Sequence, residues 1–248
     1  MVFGIELFER AQLTGGVFRW LHVLAGIVWI GMLYYFNLVQ VPSLAKMDGT
    51  ARNDALDKIA RRALWWFRWA AVATVVMGLL ITGQKEYFGN DFFKRATGLS
   101  IFIGMILGIV MFLNVWGVIW RGQKLVLANA ANALAGRDAV PGAAEAGRKA
   151  SLASRQNFIF SIPMLWFMVG TTHFYTAFGV DLSSGKVAAW LLITLILTAV
   201  LELNALGVFG TKAGQLNLWP YENHRNAIAS GFVLWVIFWI LSEILLKS

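Results

Sequence analysis

Two histidines, His22 and His173, are the side chains of this sequence best suited to chemistry, because each lies within a long apolar stretch. An ionisable ring placed in hydrocarbon is costly and needs a partner, a water pocket or a metal. Neutral imidazole ligates iron well, and a six-coordinate b-type haem takes one nitrogen on each face of the porphyrin. His22 stands near the start of the first apolar stretch and His173 near the end of the fourth, so helices crossing in alternate directions put both rings at similar depth. The pair is the candidate axial set for haem b, the iron being the metal. An interhelical hydrogen bond from each ring is the alternative.

A second group gathers toward the opposite ends of the same stretches: Arg68, Asn114, Arg155, Asn157, Glu202 and Asn204. Glu202 is the most costly of these in a membrane and must be protonated, paired with an arginine or exposed to water. The cluster could bind a polar or anionic substrate or pass a proton. The structural alternative is that Arg68 and Arg155 snorkel to the headgroups while Glu202 forms half of a buried pair. His224, beside Arg225 in a polar loop, reads as a solvated residue at a helix start.

The elements that must hold these residues are membrane helices. The chain is 58% hydrophobic and 14% charged, with a mean hydropathy of +0.65, which is too apolar for a water-soluble domain of this size. A helix rising about 1.5 Å per residue needs roughly 20 residues to cross about 30 Å of hydrocarbon. Six stretches qualify, at about 17–41, 64–83, 97–120, 158–178, 187–209 and 228–246. The expected fold is therefore an all-α integral membrane bundle of six spans in a single domain. The fourth span is its organising element, with Ser154, Arg155, Gln156 and Asn157 at one end and His173 at the other.

Pro42 is expected to end the first span. Leu56, Ile59 and Ala63 are spaced as on a short surface helix, and Ala128–Ala135 and Ala143–Ala153 read as helices split by Gly136–Gly142. Met1–Gly16 lacks the basic start and cleavage site of a signal peptide and reads as an interfacial segment. Fourteen of the 21 Lys and Arg residues fall on the side of the first, third and fifth connections, and seven on the side of the termini. The positive-inside rule then puts the long loops in the cytoplasm and both termini outside, in the periplasm of a bacterial inner membrane. The basic excess reports this orientation rather than a nucleic-acid partner. With no cysteine, the chain can hold no disulfide, thiolate metal site, iron–sulfur cluster or covalently attached c-type haem.

Arg19-Trp20-Leu21-His22-Val23 with Trp29-Ile30-Gly31, then Asn114-Val115-Trp116 with Ile119-Trp120 and Gln123-Lys124, then Ser154-Arg155, Asn157, Ser161, Pro163, Met168 and His173 resemble the membrane domain of bacterial membrane-bound urate hydroxylases. The resemblance covers about residues 17–178 and implies urate oxidation coupled to a respiratory chain. In that family a periplasmic c-type cytochrome domain usually follows the membrane domain. This sequence reads as a short form without it, and it also lacks the long histidine- and glycine-rich insertion in the first connection.

The leading expectation is an inner-membrane redox subunit that binds b-type haem or hands electrons to a separate c-type cytochrome. Two others stand beside it. One is a non-catalytic subunit packed in a larger respiratory or photosynthetic complex. The other is a transporter of a small anionic substrate, suggested by Glu202 and the nearby arginines.

Overall fold

Six long helices account for the apolar stretches in the computed structural model of the protein, which describes residues 13–83, 88, 89 and 91–247. Residues 1–12 of the interfacial segment read over Met1–Gly16 lie outside the described residues, as do Lys85 and Glu86 of the second connection. The chain is 84% helical, with no strand among the described residues. The helices are α1 (Gly15–Leu44), α2 (Gly49–Thr82), α3 (Ala96–Leu134), α4 (Ala143–His173), α5 (Ser184–Ala205) and α6 (His224–Leu245). All but α4 are apolar and long enough to cross a membrane.

What sets α4 apart is its position. It packs against α1, α3, α5 and α6, and it buries Gln156, Asn157 and Ser161 completely. A helix enclosed by other helices need not offer an apolar surface to lipid, so polar side chains can replace hydrocarbon along it. Its main partner is α3, whose Leu99, Ile103, Leu107, Met111 and Val115 recur every four residues and are all fully buried. Side chains four apart share one helical face. In a membrane that face is held by close van der Waals packing rather than by expulsion of water. The opposite situation is seen on α5, where Leu192, Ile196 and Val200 follow the same spacing but are 61%, 58% and 48% exposed.

The surface helices expected beside the membrane are continuations of the spanning ones. Residues 49–60 run straight into the second span, and Trp120–Leu134 and Ala143–Ser154 extend α3 and α4. Alanine-rich sequence without a breaker favours continuation. Gly122 lets the two extensions approach closely, since a Cβ there would lie 2.5 Å from the Ala146 carbonyl oxygen and 2.9 Å from Ala150 Cβ. The helix break does come at Gly136 and Gly142, both with positive φ. Pro42, expected to end α1, instead sits inside its last turn. It follows a π-helical stretch, Tyr35–Gln40, that re-spaces the backbone hydrogen bonds before the ring is reached.

Side-chain caps start α2, α5 and α6: Asp48 accepts from Ala51 N, Ser183 from Lys186 N and Asn223 from Asn226 N. The Asn223 cap makes His224 the first residue of α6, as its loop context suggested. At what is here called the upper end, backbone bonds from Ala96 N to Gly179 O, Gly179 N to Leu246 O and Leu182 N to Lys94 O tie α3, α6 and the α4–α5 connection together. The lower end carries the α2–α4 extensions and the loop between α5 and α6.

Candidate functional site

In the upper half, α1, α2, α3 and α4 surround a partly open cavity of about 540 Å³, with His22 in its wall. That size lies within the ~300–1,000 Å³ of small-molecule and cofactor pockets. The space exists because the facing helix positions are small. A Cβ at Gly31 or Gly108 would meet nothing within 4 Å, and both glycines line the cavity.

Gly78 on α2 determines how His22 is held. With no side chain there, the imidazole lies against the α2 backbone, and a Cβ at Gly78 would be 3.2 Å from His22 Cε1 and 3.3 Å from Nδ1. Nδ1 then lies 2.7 Å from the carbonyl oxygen of Thr74. A carbonyl can only accept, so Nδ1 carries the proton and Nε2 keeps its lone pair. The interhelical hydrogen bond and a free ligand nitrogen therefore coexist on one ring. Metal-bound histidines commonly use their second nitrogen in this way.

Other wall residues differ in what they can offer. Trp29 is 2% exposed and lines the cavity, and its indole N–H has no hydrogen-bond partner among the described residues. Met105, Met164 and Met168 supply thioethers, and Arg19, Thr82, Thr171 and Thr172 supply polar groups. Thr171 is already engaged with Phe167 O and Ser100 Oγ. His173, the last residue of α4, is exposed and is not among the lining residues. The structure thus brings His22 to the cavity and leaves His173 at the helix end.

The lower polar group divides into four. Asn114 donates to Asn157 Oδ1 at 2.9 Å and to Glu202 Oε2 at 3.1 Å, while Asn157 donates to Met111 O at 2.9 Å. This chain links α3, α4 and α5. Glu202 makes no ion pair among the described residues; of the three possibilities raised for it, pairing with an arginine is not the one seen, and the amide of Asn114 is its hydrogen-bond partner. Asn204 exchanges hydrogen bonds with Asn217 at 2.7 and 2.8 Å. Arg155 is drawn inward, donating to the Tyr221 carbonyl oxygen instead of snorkelling, and Arg148 pairs with Glu222 at 3.0 Å. Arg68 stands apart, 3.4 Å from the centroid of the Trp120 ring.

Tyr221 and Gln156 were not visible as a site in the sequence. Tyr221 looks like a loop residue, yet it is fully buried and donates to Gln156 Oε1 at 2.6 Å. Burial pushes its phenol above the ordinary range. A signal did exist for Trp29, which follows His22 by two helical turns and so shares its face. Thr74 and Gly78 gave none, because their role depends on which face of α2 meets α1. The chain matches no family model, no curated protein and no solved structure.

The residues around the cavity suit a flat apolar macrocycle. They offer a glycine-lined cradle, one imidazole with its lone pair available and an unpartnered buried N–H. Among the described residues no group of three or more His, Cys, Asp or Glu side chains could hold a bare metal ion.

Proposed function

We propose that this chain is a membrane redox subunit that binds a b-type haem in the upper cavity, with His22 Nε2 as an axial ligand. The observation that carries the reading is the His22–Thr74 hydrogen bond at 2.7 Å, made inside a cavity of cofactor size. When bound, the haem supplies one-electron transfer; the protein supplies ligation, burial and orientation. The Thr74 carbonyl fixes the tautomer and ring plane of His22 and makes Nε2 more basic. Gly31 and Gly108 would leave room for the group, and the walls around it would be mainly apolar. A second ligand from α4 would come from Met164 or Met168, which line the cavity, or from His173 at the helix end.

The same reading takes α4 as a sixth span and places the upper end, with both termini, on the periplasmic side of a bacterial inner membrane. It agrees with the resemblance to the membrane domain of urate hydroxylases and with electron transfer to a c-type cytochrome at that face. The test is the absorbance spectrum of the intact protein purified from haem-replete cells. A Soret band that His22→Ala removes is the expected result. Its absence from intact wild-type protein refutes the proposal.

A further inference from the structure

Arg68 is 9% exposed, and no hydrogen bond or ion pair to its guanidinium occurs among the described residues. Its Nε is buried without a partner. The group lies over Trp120, with Cζ 3.4 Å from the ring centroid, and 5.8 Å from that of Trp116. The indole N–H of Trp116 is a second buried donor without a partner. Two orphaned donors and one positive charge thus lie around the Trp116 and Trp120 rings, with no carboxylate paired to them among the described residues. A stacked guanidinium keeps its in-plane N–H groups free, and their fork matches the oxygens of phosphate.

The surroundings indicate where the anion comes from. Trp65, Trp66 and Trp69 flank Arg68 on α2 and are 49%, 56% and 47% exposed, and Trp69 packs edge-on against Trp116 with centroids 5.6 Å apart. Exposed tryptophans on a membrane helix mark the headgroup level. Lys124, whose Nζ is 5.9 Å from the Trp120 centroid, brings further positive charge to the same ring.

We infer that Arg68, Trp116 and Trp120 form a binding site for a phosphate group, occupied by the headgroup of an anionic phospholipid at the lower face. The site is independent of the haem cavity, because it lies at the other end of the bundle and uses none of the same residues. The phosphate accepts from the guanidinium and from the Trp116 N–H, while Lys124 favours a net negative headgroup over a zwitterionic one.

The experiment is native mass spectrometry and thermal melting of the purified protein in neutral detergent, with added phosphatidylglycerol, phosphatidylcholine or inorganic phosphate. Wild type is expected to retain phosphatidylglycerol about tenfold more tightly than phosphatidylcholine, as the loss of one charge-assisted contact implies. Arg68→Gln is expected to abolish that preference, and Trp116→Phe, which keeps a ring but removes the N–H, to reduce it. A melting response to inorganic phosphate that either variant removes, without any lipid preference, keeps the phosphate chemistry and reassigns its source to a free anion. Equal retention of the two lipids with no response to phosphate overturns the inference. So does a preference that survives in every variant that folds.

Discussion

Gly78→Ala is the most discriminating test of how His22 is held. The new methyl would lie 3.2 Å from His22 Cε1 and 3.3 Å from Nδ1, closer than ordinary van der Waals contact. The ring must then move away by a few tenths of an ångström, which lengthens the 2.7 Å bond to the Thr74 carbonyl. Weakening the hydrogen bond that orients a metal-ligating histidine typically lowers affinity about 10–100-fold, so haem retention is expected to fall about tenfold, or ~1.4 kcal/mol. Gly117→Ala is the control, because its Cβ meets nothing within 4 Å and it is not among the residues lining the cavity. Replacing glycine by alanine inside a helix favours folding by up to ~1 kcal/mol. Gly117→Ala is therefore expected to raise the melting temperature and leave haem binding unchanged. The assay is a haem titration followed at the Soret band, with thermal melting in parallel. Equal haem affinity in Gly78→Ala and wild type would refute the reasoning, as would an equal loss in both variants.

The remaining predictions concern other parts of the bundle. His22→Ala is expected to abolish the Soret band while His173→Ala retains it; loss in His173→Ala would instead restore the two-histidine ligation read from the sequence. Tyr221→Phe leaves buried Gln156 Oε1 without its 2.6 Å donor and is expected to cost about 1–3 kcal/mol in chemical denaturation at neutral pH. Because burial raises the Tyr221 phenol above its unfolded value, the folded state holds that proton longer, and stability falls as pH rises past about 10. Tyr221→Phe should show a shallower decline over that range, and an unchanged slope would count against the assignment. Gly122→Ala drives a methyl to 2.5 Å from the Ala146 carbonyl oxygen and is expected to cost about 1–3 kcal/mol by overpacking, measured by the same denaturation.

Much of this architecture follows from features local to the chain. The apolar runs around Ile103 and Leu192 are long enough to declare helices, and Gly136 with Gly142 declares a break. Hydrophobicity alone could not show that α4 is enclosed, because Gln156 and Asn157 look like a polar cap until four neighbouring helices surround them. The extents of α2, α3 and α4 were underestimated for a related reason: alanine-rich sequence has no apolar periodicity, yet it is the best helix former. At the candidate site, His22 stood out as an ionisable group in hydrocarbon. Thr74 and Gly78 did not, since a backbone carbonyl and an absent side chain acquire meaning only in register with a neighbour. Glu202 was read as a group that must be protonated, paired or wet, and whether an arginine or an amide lies beside it depends on the rotation of α3 against α5.

The continuous lower extensions make the bundle lopsided. At about 1.5 Å per residue, the 39 residues of α3 reach close to 60 Å, about twice the depth of a hydrocarbon core. Nearly all the surplus projects from one surface, where α2, α3 and α4 form a stiff helical pedestal. At the opposite surface, His22 lies close to the boundary. If the upper cavity holds haem as proposed, electron exchange with a soluble carrier is geometrically open on the shallow side and screened on the other by an entire storey of protein, a directionality that comes from helix length alone.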